Sequence, residues 1–141
     1  MIDFDKYLLF VDGVTSDSSK NFVDLADRLG ELDREGANIE RLTTAGVGLA
    51  AESGEFLEIV KKMVFQGKPW NDDNREHLII ELGDIMWYVA NACIALNVEF
   101  DDVVRGNVKK LEKRYPGGSF SIEKSENCLL YTSPSPRDGS I

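Results

Sequence analysis

Between His77 and Leu96 the chain reads HLIIELGDIMWYVANACIAL, and its polar members Glu81, Asp84, Tyr88 and Asn91 recur at i, i+3, i+7 and i+10. That spacing puts all four on one face of a helix. The other positions are mostly apolar, including Leu78, Ile79, Ile80, Leu82, Ile85, Met86, Trp87, Val89, Cys93, Ile94 and Leu96, so the pattern predicts a helix buried all round, with its carboxylates inside. Upstream, GLAAESGEFLEIVKKMVF carries a helical apolar stripe of Leu49, Phe56, Val60 and Met63, with Glu52, Glu55 and Lys62 on its flank. A third segment repeats the period with Phe22, Leu25, Leu29 and Leu32.

Punctuation between these stripes sets the expected elements. A short helix spans Phe4 to Val14, and the polar break Thr15 to Ser19 offers N-cap candidates. The segment from Phe22 ends at Gly36. A long helix runs from about Ile39 to Phe65 and stops at QGKPWNDD, where Gly67, Pro69 and the Asn/Asp cluster make a loop. The polar-striped helix covers about Arg75 to Leu96. A final helix starts near Phe100, with Asp101 and Asp102 in its first turn where the helix dipole favours acids, and ends at Arg114 and Tyr115 before Pro116-Gly117-Gly118. No strand pattern, internal repeat or Gly-rich phosphate loop intervenes. The expected fold is all-α: an antiparallel bundle of four core helices plus a short N-terminal helix. So apolar a central helix leaves more greasy surface than a small monomer covers, so closure by oligomerisation is expected.

Composition narrows the class. A chain of 141 residues with formal net charge −9 suits one domain, argues against a generic nucleic-acid surface, and leaves an anionic substrate in need of local help from metal or Lys/Arg. No segment reads as a signal peptide or membrane span, and the expectation is a cytoplasmic protein. The stretch CLLYTSPSPRD, Cys128 to Asp138, breaks with everything before it and resembles the in-frame translation of a sequencing adaptor. We therefore read 1–127 as the domain and 128–141 as a non-native tail. Cys93 is then the one cysteine of the domain, core filler in a reducing compartment. The lone histidine, His77, lies one turn before Glu81 and is read chiefly as a surface group, with contact to substrate or metal as the alternative.

Acids in a low-dielectric interior either neutralise or find opposite charge, and a divalent cation is one source. Two helices, each bearing an acidic pair at i, i+3, would gather four carboxylates around one site on packing antiparallel. Oxygen ligands of this kind suit Mg2+ or Mn2+. On the last helix Asn107, Lys110 and Arg114 fall at i, i+3 and i+7 beside Tyr115. Alone that face is solvated surface; beside an acidic metal site it is a candidate phosphate clamp.

The pair of motifs Glu52-Ser53-Gly54-Glu55 and Glu81-Leu82-Gly83-Asp84 resembles the ExxE and ExxD motifs of the MazG-like nucleotide pyrophosphohydrolases. The blocks GLAAESGEFLEIVKK, ELGDIMWYVA and NVKKLEKRYPGGSF extend the similarity, in order, over roughly Leu42 to Phe120. The compact form resembles members encoded by bacteriophages and bacteria, which would place the protein in the cytoplasm, that of the host if it is phage-encoded. The resemblance implies an all-α enzyme that cleaves a nucleoside triphosphate between the α and β phosphates with Mg2+ (or Mn2+), yielding monophosphate and pyrophosphate. It implies Glu52, Glu55, Glu81 and Asp84 as metal ligands and catalytic groups, with Glu55 also orienting water as a general base. Lys62, Asn107, Lys110, Arg114 and Tyr115 would hold phosphate, and Tyr88 would pack on sugar or base. Asn91 extends the stripe toward substrate or closes a buried network. Trp70 and Trp87 are either base-pocket walls or plain packing. The family's habit of forming dimers or tetramers implies a homo-oligomer. Competing readings are a non-catalytic nucleotide-binding or interaction protein of the same fold and a phosphoribosyl-ATP pyrophosphohydrolase-like enzyme. A di-iron bundle is disfavoured because neither motif ends in histidine.

Overall fold

The computed structural model describes residues 1–119 and 122–123; the adaptor-like stretch at 128–141 lies outside them. All regular structure among the described residues is helical: α1 (Phe4–Val14), a 3-10 turn (Asp17–Ser19), α2 (Phe22–Arg34), α3 (Ile39–Phe65), α4 (Asp72–Leu96) and α5 (Phe100–Arg114). The all-α class read from the periodicity is the observed one. The chain divides into two compact units that meet in sequence between Leu96 and Asn97.

Local chemistry fixes the helix ends. Asn21, two residues beyond the expected Thr15–Ser19 cap region, caps α2 by accepting from the Val23 and Asp24 amides. The Ser16 hydroxyl instead lies 3.1 Å from that of Ser19, so the polar break folds on itself as the 3-10 turn. Gly36 takes φ +98° just past α2, a conformation that a side chain resists, and Asn38 opens α3 by accepting from the Arg41 amide. At the far end of α3, Gly67 at φ +73° lets the Lys68 amide turn back onto the Lys62 carbonyl at 3.1 Å. Asn71 then accepts from the Asn74 amide at 2.9 Å, which starts α4 at Asp72, three residues before the expected Arg75. The extra turn holds Asp72 and Asp73, acids suited to the positive end of the helix dipole.

The first unit is organised around the seam between α3 and α4. Inter-helix partners run in opposite directions along the chain: Arg41 meets Asn91, Gly48 meets Tyr88, and Glu52 meets Glu81 and Asp84. The pair is therefore antiparallel. Its buried residues are Ala45 and Gly48 on α3 and Asn91 and Cys93 on α4. Gly48 is required by this packing, since a Cβ there would run into the Tyr88 ring.

Burial of α4 departs from the expectation of a helix covered all round. Ile80, Leu82, Trp87 and Ile94 are each more than half exposed, and Asp84 is exposed as well. Apolar composition alone does not say who supplies the cover, and within the unit α3 is the main neighbour of α4. By length and hydropathy α4 also meets the requirements of a membrane span, but Glu81 and Asp84 near its middle would be costly in lipid. In α1 no residue is buried. The second unit contains α5, opened by Asp102, whose side chain accepts from the Glu99 amide at 3.2 Å. Asn97, at φ 54°, closes α4 in the left-handed conformation that asparagine tolerates.

Candidate metal centre

Midway along the α3/α4 seam, three carboxylates converge. Glu52 comes from α3, and Glu81 and Asp84 from successive turns of α4; one carboxylate oxygen from each lies within 4.8 Å of the others. Glu52 and Glu81 are half-buried, whereas Asp84 faces outward. Such a cluster accumulates negative charge, and Lys62, expected on the same flank of α3, is engaged by Glu58 at 3.7 Å.

Electrostatics record that imbalance. The Glu52 carboxyl is pushed above its ordinary range, first by its hydrogen bond with the Glu81 side chain, then by burial and by the negative charges of Asp84 and Glu81. Crowded like charges and burial both favour the neutral form of a carboxyl. The Glu81 Oε2 atom is buried and accepts no hydrogen bond among the described residues. Buried carboxylate oxygens are normally satisfied, so three convergent oxygens with one unfulfilled acceptor fit a hard divalent cation.

Glu55 is not one of the three clustered acids and is exposed. Three residues advance a helix by about 300°, leaving Glu55 about 60° round α3 from Glu52. Tyr88, one turn beyond Asp84, lies with its ring against the Gly48 backbone and edge-on to Trp87 at 4.9 Å between centroids. Asn91 is buried; its Nδ2 donates to the Trp87 carbonyl at 3.0 Å and its Oδ1 accepts from Arg41 Nη1 at 2.9 Å. The stripe is thus continuous, but its far end is tied into the helix pair. His77 is exposed.

Within the second unit, Asn107 and Lys110 are exposed on α5, and the Arg114 guanidinium lies over the Tyr115 ring at 5.4 Å. Of the expected phosphate-binding residues, Asn107, Lys110 and Arg114 share α5 and Tyr115 is its C-cap, whereas Lys62 lies on α3.

A family model for the MazG nucleotide pyrophosphohydrolase domain matches residues 41–119. The chain belongs to this family. The MazG match covers α3 from Arg41 onward, α4 and α5, and leaves α1 and α2 outside it. A phage relative, the Gene 37 protein of Mycobacterium phage L5, is 39% identical over 83 residues, covering 57% of this chain and 72% of that protein. No solved structure matches the chain. Two residues of this MazG seam, Arg41 and Gly48, are not singled out by the sequence pattern. The one available signal was spacing, because Gly48 lies four residues before Glu52 and thus on the same face.

Proposed function

We propose that this MazG-family protein is a Mg2+-dependent pyrophosphohydrolase that converts a ribo- or deoxyribonucleoside triphosphate and water into the monophosphate and pyrophosphate. The observation that carries the reading is the convergence of Glu52, Glu81 and Asp84 within 4.8 Å, on the two motifs that define the family resemblance. These three, with Glu55 beside them, would hold Mg2+, or Mn2+ in its place. When bound, the cation neutralises phosphate charge and polarises the attacking water. Glu55, exposed and outside the three-acid cluster, accepts the water's proton as oxygen adds to the α-phosphorus; the bridging oxygen leaves with pyrophosphate, taking the bond's electron pair. Lys62, Lys110, Arg114, Asn107 and Tyr115 supply phosphate contacts, and Tyr88 packs against the sugar. Asn91 acts on substrate through its hold on Arg41.

The assembled protein in this reading is a homodimer or homotetramer working in the cytoplasm, that of the host if the gene is a phage's. Support comes from the apolar side chains left open on α4, Ile79, Ile80, Leu82, Met86, Trp87 and Ile94, an extent of greasy surface that a lone small chain seldom leaves bare. Light scattering at low micromolar concentration should give a multiple of the chain mass; a monomer mass would remove the oligomer from the account.

The chemistry is tested with the full chain, a panel of eight common nucleoside triphosphates, Mg2+ and separate detection of pyrophosphate and orthophosphate. Pyrophosphate should be released, with turnover abolished by chelation. Orthophosphate as the first product, or undiminished turnover in a chelator, would overturn the reading.

A further inference from the structure

Two turns along α4 from Asp84, the same polar face that carries the carboxylates opens into a groove of about 290 Å³ lined by Asn38, Glu40, Arg41, Thr44 and Asn91. Its chemistry is unlike that of the acidic cluster. Arg41 is half-buried and gives one of its five donors to Asn91 Oδ1 at 2.9 Å. No carboxylate lies within ion-pairing distance of its guanidinium among the described residues, although Glu40 lines the same groove. Asn91, only 9% exposed, is held at both ends of its amide, by Arg41 and by the Trp87 carbonyl. The guanidinium is therefore fixed in place with most of its donor fork still to be used.

A fixed fork of N–H donors and a carboxylate in one groove are complementary to a ligand that offers paired acceptors and paired donors. Among the bases guanine has that arrangement: O6 and N7 accept from an arginine fork, while its N1–H and exocyclic N2–H2 donate to a carboxylate. Adenine presents a donor at N6 beside N7 and breaks the match. Position agrees as well. Seven residues of helix separate Asp84 from Asn91, about 10 Å at 1.5 Å per residue. That is the scale of the reach from an α-phosphate across the sugar to the base, and too far for Arg41 to hold the same phosphates as the carboxylate centre.

We propose that the Arg41/Glu40 groove reads the base of the substrate and selects guanine over adenine, with Asn91 as the positioning residue that aims the Arg41 fork. This rests on the nucleotide reading of the carboxylate site and adds the base to it. Arg41 is a specificity residue here, and the reaction centre is left to the acids.

The test uses the full chain and two readouts: calorimetric affinity for GMP and AMP, and kcat and KM for GTP, dGTP, ATP and dATP. The wild type should bind GMP about tenfold or more tighter than AMP, the discrimination expected of one good bidentate pair. Arg41→Met, which keeps the aliphatic stem, and Glu40→Ala, at an exposed position, should each erase most of that preference through KM with kcat within about threefold, scaling with the same bidentate term. Arg41→Lys should not restore it, because a point charge lacks the fork. Equal wild-type affinity for the two monophosphates would overturn the proposal. So would an Arg41→Met variant that weakens GMP, AMP and inorganic pyrophosphate alike, the result for a phosphate holder, or one that lowers the unfolding midpoint with base preference intact, the result for a purely structural tie. If no triphosphate yields pyrophosphate and GMP is still preferred over AMP through Arg41, the hydrolase reading falls and the groove stands.

Discussion

The two ends of one helix seam solve the same problem in opposite ways. At the Arg41 end, a buried amide is held at both of its polar atoms, by a guanidinium and by a backbone carbonyl, and Ala45 and Cys93 are buried on the same two helices. At the carboxylate end, Glu52, Glu81 and Asp84 crowd together, the Glu52 carboxyl is pushed above its ordinary range by its hydrogen bond with Glu81, and Glu81 Oε2 accepts no hydrogen bond among the described residues. Both ends lie on the same faces of α3 and α4. The contrast teaches that polarity in the seam is not a packing defect: at the Arg41 end the buried amide is paired and positions a guanidinium, and at the carboxylate end the acids left in conflict call for a cation.

Substitutions at the two ends should therefore separate function from stability. The largest effect is expected from Asp84→Asn, which should lower kcat for triphosphate hydrolysis by about 100- to 1,000-fold, the scale of losing one charge-stabilising group. The unfolding midpoint in chelator should stay level or rise, since one of the mutually repelling acids is gone. Denaturant titration beside steady-state kinetics checks both. A fall in stability with activity retained would erase the contrast.

At the closed end the signs reverse. Asn91→Ala strands Arg41 and should cost about 1–3 kcal/mol of stability, read from urea unfolding. Gly48→Ala sets a Cβ where the Tyr88 ring lies; overpacking of about 1–3 kcal/mol outweighs the roughly 1 kcal/mol of helix propensity gained, so the variant should be less stable. Stability equal to wild type in both would show that the seam tolerates being loosened.

The smallest effect concerns pH. The Glu52 carboxyl is raised in the folded protein, chiefly by its hydrogen bond with Glu81, so the folded state binds more protons than the unfolded one. Its contribution is fully present below the unfolded value and is lost as pH rises through the raised folded value. In chelator, stability should therefore decline modestly as pH climbs out of the carboxylate range, and Glu52→Gln should flatten that slope. A slope unchanged by the substitution would mean that the strain lies elsewhere.

Much of this molecule is legible in its sequence, and the exceptions share a cause. The ranges of α1 and α3 follow from period and punctuation alone, and α5 is framed by Asp101-Asp102 and Pro116-Gly117. The start of α4 was placed late because Asn71 works as a cap ahead of two acids, a local choice that the apolar stripe does not report. Glu52, Glu81 and Asp84 were readable as a set because i, i+3 spacing survives translation into space. Glu55 shares the motif and lies outside the three-acid cluster, a matter of rotation about α3. Arg41 and Gly48 gain meaning from the register between α3 and α4, which no single-helix pattern contains. The exposed face of α4 is the same lesson at larger scale: hydropathy says that a surface wants cover, and only packing says whether it has any.

The contrast between the two ends is most directly tested by titrating the full-length protein with Mn2+, followed by electron paramagnetic resonance of the free ion. The wild type should bind, Asn91→Ala should bind comparably, and Glu52→Gln combined with Asp84→Asn should bind at least tenfold more weakly, about 1.4 kcal/mol. Equal binding by wild type and the double variant would contradict the assignment of the unsatisfied carboxylates as a metal centre.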